Sequence, residues 1–386
     1  MTKHWRRFRL SAEVSSGFTP PPYPYDRLDS VAELAKRHPG GMVDLSVGTP
    51  VDAPIREVVE ALSTSNAERG YPASLGSAAL RNSMRGWLER RFGIDVPLAQ
   101  IAGCIGTKEF VASAPWYLKL RSPSKDTVLY PAVSYPTYAF GAELARCRAV
   151  PVAVGVDGRL DLDSIDKRDL QRAVMLWSNS PSNPTGELDD LRALYQFAND
   201  NGVPVFSDEC YSEFTWSKPP DSILSYGSEN VVAVHSLSKR SNLAGMRVGF
   251  YAGDSSLVDY LSLVRKHAGM MIPGPMQYAA SIAFQDDIHV ERQRRVYRER
   301  LEYMVSILKG LGYSVSLPKG GFYLWLRSET EDGFELAEEL ANRLGILVSP
   351  GEFYGNDSRP YVRIAMVADM SRLELVAQRA ERKVRF

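Results

Sequence analysis

VAVHSLSKRSNLAGMRVGF, residues 232–250, decides how this chain is read. The apolar, β-branched run that begins at Val231 has the composition of a buried strand. It stops at Ser236-Leu237-Ser238, delivers Lys239, and continues through Gly245 to Arg247, a fixed cation eight residues on. An amine at the end of a buried strand is desolvated, which lowers its pKa and makes it a usable nucleophile for a carbonyl. Taken alone, SLSK also describes a helix-start lysine whose stem packs while its ammonium reaches water. The surrounding sequence has to choose between these readings.

Outward from this stretch, short apolar runs alternate with helix-like segments between about residues 75 and 270. The runs are DTVLYPAV, CRAVPVAV, RAVMLWSN, VPVFSDEC, NVVAVHSL and MRVGFYAG, and DDLRALYQFANDNG shows the intervening pattern, acidic at its start and closed by glycine. This alternation predicts a largely parallel sheet covered on both faces. ERQRRVYRERLEYMVSILKGLG (291–312) then reads as one long amphipathic helix, followed by a smaller α+β lobe through GFYLWLR, FELAEELANRLG, ILVSP and YVRIAMV. FTPPPYPYD (18–26) cannot be a helix interior and is expected to be an extended arm.

Lys+Arg and Asp+Glu both number 46, so the balance gives no electrostatic footprint for nucleic acid or an anionic membrane. Cys104, Cys147 and Cys210 are odd in number and lack a CxxC pair, which argues against a disulfide framework or zinc site and fits a reducing compartment. The basic start MTKHWRRFRL leads into SAEVSSGFTPPPYPYD rather than an apolar stretch with a cleavage site, so no secretory signal is expected. No window approaches the roughly 18 to 20 apolar residues of a membrane span. The expectation is a cytoplasmic protein with no membrane or nucleic-acid partner and no metal.

In a parallel sheet, ligands collect beyond the carboxyl ends of the strands. The polar clusters fall there: GTKE (106–109) after IAGCI, SNSPSNPTG after AVMLW, SDECY after VPVF, and SLSK after VVAVH. GTKE opens a helix whose free N–H groups suit an anion, although Gly-Thr alone also describes an ordinary N-cap. Ser236 and Ser238 add hydroxyl donors, and Arg247 adds a cationic fork suited to phosphate. Asp208 is either a turn-capping carboxylate or a buried anion that keeps a ring nitrogen protonated. The Tyr211 phenol and the Asn183 amide can hydrogen-bond a ring oxygen, and Tyr135 can stack on a flat ring. An aldehyde for Lys239, a phosphate for the serines and Arg247, a pyridinium for Asp208 and a phenolate oxygen for Asn183 and Tyr211 converge on pyridoxal 5'-phosphate.

Together LSVGTP (45–50), GYPASLGSAALR (70–81), IGTKE, YPTY, SNSPSNPTG, SDECY, SLSKRSNLAGMRVG and YVRIA make the chain resemble the class I aminotransferases of pyridoxal-phosphate fold type I, over nearly its whole length. The resemblance implies an α/β fold with a mostly parallel seven-stranded sheet between helices and a smaller α+β domain. It divides the chain into an N-terminal arm and part of the small domain (1–50), a large cofactor-binding domain (51–279) and a small C-terminal domain (280–386). It implies that Lys239 is the Schiff-base lysine and then the base and acid of the proton shift, and that Asp208 partners the pyridine nitrogen. Asn183 and Tyr211 fall on positions that bond the ring oxygen, and Tyr135 on the stacking aromatic. Thr107, Lys108 through its backbone, Ser236, Ser238 and Arg247 fall on phosphate positions. Tyr71 falls on a tyrosine that reaches the neighbouring subunit's phosphate, implying a homodimer. Arg363 falls on the arginine that forks the substrate carboxylate, aided by Asn183 and the backbone at Gly48. His235 and His267 are expected to be packing and helix residues, and Cys210 a small residue beneath the ring.

VDLSVGTPVD and HSLSKRSNLAGMRVGF further resemble the actinobacterial-type N-succinyldiaminopimelate aminotransferases of lysine biosynthesis. That resemblance implies ping-pong exchange of the amino group of N-succinyl-LL-2,6-diaminopimelate with 2-oxoglutarate. The alternatives are an aspartate or broad-specificity aminotransferase and a C–S β-lyase, which share every cofactor residue. A regulator built on such a domain would need a DNA-binding module, and none is expected here. A long acidic donor needs a distal cation or donor, for which Lys266, Arg265, Arg81 and the N-terminal arm stand as candidates.

Overall fold

A computed structural model describes residues 18–384. The basic start and the residues between it and Phe18 lie outside this range. Twelve strands form among those described, and β1 (Val43–Asp44) belongs with the C-terminal lobe. The large sheet contains β2 (Ile101–Cys104), β3 (Thr127–Pro131), β4 (Arg148–Val152), β5 (Ala173–Asn179), β6 (Val205–Asp208), β7 (Val231–Ser236) and β8 (Gly249–Gly253). The smaller lobe adds β9 (Tyr323–Arg327), β10 (Ile346–Leu347), β11 (Ser349–Pro350) and β12 (Tyr361–Ala365).

The seven strands lie in the order β2-β8-β7-β6-β5-β3-β4. Only β8 runs against the rest, being antiparallel to both its neighbours, so all six other strands point their carboxyl ends the same way. Every residue of β5, β6 and β7 is buried, as expected for strands covered on both faces. Two apolar cores cover the two faces of this sheet. One joins Trp87, Leu129, Leu176, Val231 and Phe284, and the other joins Phe110, Tyr138, Trp177, Phe206 and Val234.

A third core unites Leu28, Val31, Ala35, Val43 and Leu45 with β9, β12 and the helix Gly333–Leu344. The 279/280 boundary expected from sequence falls inside the helix Gly274–Gln285, whose Ala279, Ala280, Ala283 and Phe284 pack into the large sheet's core. In the next helix, Ile288–Gly310, Tyr297, Leu301 and Met304 belong to the third core. The Pro-rich segment is irregular only to Tyr23. Pro24 then opens a 3-10 turn, Pro24–Leu28, that runs directly into the helix Asp29–Lys36, because a first-turn proline surrenders an N–H that has no partner anyway.

Chain order reverses between β3 and β5: the chain leaves β3 toward the β4 edge, then returns to build β5, β6 and β7 on the other side. A crevice opens where connections diverge in this way. The loops leaving β3 and β5 carry Tyr135 and Asn183 into it.

Candidate active site

A cavity of about 360 Å³ fills this crevice. Every catalytic, cofactor-binding and carboxylate-binding residue nominated from the sequence lines it except Tyr71, which stands fully exposed on the surface of the single chain. The segments that bring them together are the ends of β2, β3, β5, β6 and β7, joined by Gly48 and Arg363 from the smaller lobe.

Lys239 lies on a one-turn helix, Leu237–Arg240, capped by Ser236, whose oxygen accepts from the Ser238 N–H at 3.1 Å. Its ammonium donates to the Gly48 carbonyl. Burial, with Arg363 and Arg247 adding repulsion, lowers the amine to about 8. Gly48 has no room for a side chain, since a Cβ there would overlap the Tyr323 hydroxyl. The backbone at Gly48, expected to help hold a substrate carboxylate, thus gives its carbonyl to Lys239.

Asp208 is 7 % exposed, and burial raises its pKa. Its oxygens accept from the Cys210 N–H at 3.2 Å and the Tyr138 hydroxyl at 2.9 Å. No cationic side chain pairs with it among the described residues. A buried carboxylate facing a cavity without a countercharge favours a protonated ligand atom.

The helix Thr107–Arg121 starts at the same cavity without a side-chain cap, leaving first-turn N–H groups for an anion. Gly106 precedes it at φ +71°, and a Cβ at this position would overlap the Arg247 guanidinium. Arg247 donates to the Ala244 carbonyl at 2.8 Å, and the Ser236 and Ser238 hydroxyls lie 2.9 Å apart nearby. Donor N–H groups, two hydroxyls and a guanidinium around one end of the cavity have the chemistry of a phosphate cradle. With the lysine amine and the uncompensated carboxylate, the residues present fit pyridoxal 5'-phosphate.

Arg363 enters from β12. It donates to Asn183 Oδ1 at 2.8 Å, to the Tyr25 hydroxyl at 3.2 Å and to the Ser46 carbonyl, and its guanidinium lies 4.3 Å over the Tyr323 ring. The surrounding phenols hold it firmly charged. Asn183 is held in turn by Asn179, whose Oδ1 accepts from the Asn183 N–H at 2.7 Å while its amide donates to the Asp208 carbonyl at 2.8 Å.

Tyr25, Tyr138, Asn179 and Tyr323 were not singled out from the sequence. Tyr138 sits in the quoted YPTY motif and Asn179 in SNSPSNPTG, so a signal existed for both. Tyr323 reads as core in GFYLWLR, and only the β9–β12 register reveals it: Tyr323 pairs with Ala365 and Trp325 with Arg363, placing Tyr323 and Arg363 on one face.

His235 is buried against Trp87 and Phe250, and burial lowers it to about 3, leaving a neutral packing residue. His267 is exposed in the last turn of the helix Ser255–His267. The Cys210 thiol lies 3.2 Å from the Thr107 hydroxyl, and burial pushes it well above its usual range, away from thiolate chemistry. Arg265 is unavailable to substrate, because both its terminal nitrogens are bound to Glu109 at 2.8 Å. Lys266 and Arg81 lie outside the cavity, and Arg81 donates instead to the Leu98 carbonyl at 3.0 Å.

Tyr23 and Tyr25 do reach the cavity, and with them comes a cation that the sequence had assigned only through its backbone. Lys108 turns its ammonium toward the mouth, 5.3 Å from the Tyr23 ring and 5.9 Å from the Tyr135 ring, with no carboxylate partner among the described residues.

Residues 40–379 match the family model of class I and II aminotransferases. The chain belongs to this family. As an aminotransferase of these classes it is a pyridoxal-phosphate enzyme that exchanges amino groups between amino and oxo acids. It is 40 % identical over 367 residues to the 4-dedimethylamino-4-oxo-anhydrotetracycline transaminase of Streptomyces rimosus, covering 93 % of this chain and 98 % of that one. It is 31 % identical to the LL-diaminopimelate aminotransferase of Desulforudis audaxviator, covering 92 % and 93 %. Among solved structures, the "probable N-succinyldiaminopimelate aminotransferase" of Thermus thermophilus superposes with a TM-score of 0.83 at 28 % identity, covering 93 % of this chain and all of that one. The aminotransferase contains no helix long and apolar enough to cross a membrane and no cluster of metal-ligating side chains among its described residues.

Proposed function

We propose that this aminotransferase acts on a long, acidic amino donor, N-succinyl-LL-2,6-diaminopimelate, with 2-oxoglutarate as acceptor in a ping-pong cycle. The observation that carries the reading is that two cations, Arg363 and Lys108, line one cavity. Arg363 is buried and forked, suited to an α-carboxylate, while Lys108 is exposed at the mouth without a carboxylate of its own. A diaminopimelate relative and a structural neighbour named for the succinylated donor support it.

In the mechanism, Arg363 and Asn183 would orient the donor's α-carboxylate, and the Lys239 amine Nζ would accept the proton lost from the donor's α-carbon and hold it for return. Thr107, the Lys108 backbone, Ser236, Ser238 and Arg247 would hold the phosphate. Asp208, fixed by Tyr138 and the Cys210 N–H, would keep the ring nitrogen protonated. Tyr211, bonded at 2.8 Å to the Tyr323 hydroxyl, and Asn183 would address the ring oxygen, while Tyr135 would stack on the ring. Bound pyridoxal phosphate supplies an aldehyde for Lys239 and an electron sink for charge at the α-carbon.

A panel of amino donors with 2-oxoglutarate, scored by glutamate formed, tests the assignment. N-succinyldiaminopimelate should lead the panel; a strong preference for aspartate or an aromatic donor refutes it, and pyruvate released from a cysteine conjugate without acceptor marks a lyase. The tetracycline-acting relative favours one second reading, transfer to a bulky cyclic ketone, so that acceptor class belongs in the panel. Lys108→Met should raise KM for the succinylated donor about two- to fivefold with little change in kcat, the size expected for one solvent-exposed charge contact.

We further propose a homodimer in which Tyr71 reaches the partner's phosphate site. Tyr71 is fully exposed on the single chain, and Val47 and Val51 beside the cavity mouth are also exposed. Sedimentation should give twice the chain mass of 43.0 kDa. Tyr71→Phe should weaken cofactor retention about tenfold while leaving that mass unchanged. A monomer in the micromolar range refutes the shared site.

A further inference from the structure

Two backbone segments meet at the reacting amine from different lobes. Residues 46–52 leave β1 of the smaller lobe and place the Gly48 carbonyl on Lys239, while residues 237–247 leave β7 of the large sheet and carry Lys239 and Arg247. Neither segment is part of a sheet at the point of contact, so their mutual register needs another source.

That source lies on the long helix Ile288–Gly310. Arg300 forks Asp52 with two bonds of 2.7 and 2.6 Å, and the Gln293 amide donates to the same carboxylate at 2.9 Å. Gln293 and Arg300 are seven residues apart, two helical turns, and so share one face. A carboxylate only accepts, so it turns the Gln293 N–H group toward itself and leaves Oε1 free for a donor. That donor is the Asn242 side chain, at 2.9 Å, three residues beyond Lys239. Gln293 is 7 % exposed and the Arg300 side chain 3 % exposed, so these bonds compete little with water. Between them on the helix, Tyr297 stacks on Phe322 at 4.5 Å, and the Lys239 ammonium lies 5.9 Å over the Phe322 ring. One helix face thus holds both segments.

We propose that Gln293 is a positioning residue for amino transfer: with Asp52 and Asn242 it forms a polar relay that sets the reach between the Gly48 carbonyl and the Lys239 amine. The proposal rests on the family's activity and not on the choice of donor. Asp52, Gln293 and Asn242 touch none of the reacting atoms; they act through the two segments.

The test uses the pyridoxal-phosphate-loaded protein. Asn242 sits at φ +56°, where glycine is unstrained, so Asn242→Gly deletes the amide without distorting the turn. Its side chain bonds Gln293 and not residues 45–53, which makes amide hydrogen exchange in a peptide covering 45–53 the deciding readout. Exchange there should accelerate about fivefold in both Asn242→Gly and Gln293→Met, the factor that loss of one net hydrogen bond corresponds to. The double variant should exchange no faster than Gln293→Met, because the two changes break one relay. The saturating single-turnover rate of amino transfer from L-glutamate should fall by at least the same factor. Wild-type exchange of 45–53 in Asn242→Gly, additive effects, or an unchanged single-turnover rate in both variants overturns the relay. If the wild-type protein does not use L-glutamate, the acceptor assignment fails, and the exchange measurement still decides the relay.

Discussion

Lys239→Ala is expected to lower amino transfer by about 10⁴-fold or more, because it removes the amine proposed both to capture the cofactor and to move the proton. The geometry explains why no neighbour substitutes. Lys239 is the amine whose ammonium is held inside the cavity by the Gly48 carbonyl, whereas Lys108 turns toward the mouth, beside the Tyr23 and Tyr135 rings. Lys239→Arg should fail equally, since a guanidinium stays protonated and cannot act as the nucleophile. Wild-type protein should be yellow, and borohydride should bleach it and leave the cofactor on the peptide containing Lys239. In the cofactor-free chain the amine lies near 8 rather than in the usual lysine range, so amine-directed labelling of Lys239 should rise through about pH 8, ahead of surface lysines. Native turnover by Lys239→Ala would exclude the proposed role.

Arg363→Ala should lower kcat/KM for α-amino acids by about 10²- to 10³-fold while the cofactor stays bound. The guanidinium is 3 % exposed and meets the Asn183 side chain, the Tyr25 hydroxyl and the Ser46 carbonyl. Its removal takes away the proposed carboxylate receptor and leaves Asn183 Oδ1 without its donor, whereas the Ser46 carbonyl still accepts from the Ser349 hydroxyl at 2.7 Å. Arg363→Lys should recover little, because a point charge cannot span Asn183, Tyr25 and a carboxylate at once. The visible band should persist in both variants, since none of these contacts belongs to the phosphate end. Loss of the band together with activity would mean that Arg363 supports the fold of the cavity instead.

The cofactor end of the cavity was legible because a parallel sheet gathers the carboxyl ends of its strands at one edge. GTKE, SNPTG, SDECY and SLSK are far apart in sequence yet each ends a buried apolar run, so the pattern alone predicted that they would meet. The substrate end was less legible. Arg265 and Lys108 are both cations near helix ends in sequence, and nothing local distinguishes them. The fold pairs Arg265 with Glu109 across 156 residues and sets Lys108 beside the Tyr23 and Tyr135 rings with no carboxylate partner among the described residues. Tyr323 and Tyr25 were hidden for a related reason. An aromatic in an apolar strand or a Pro-rich turn points to core or to solvent according to register and docking, which neighbours fix.

The α/β architecture and the cofactor could thus be read from the chain alone, together with the lysine proposed to meet that cofactor, because period, strand ends and chemically distinctive clusters are local properties of the chain. Only the tertiary structure decided which carbonyl receives Lys239, which tyrosines surround Arg363, which cation stands at the mouth, and how the long helix ties the two lobes together through Asp52, Gln293 and Asn242. Those choices depend on side chains brought together from distant segments, where a hydrogen bond or an ion pair forms only after packing has fixed the distance.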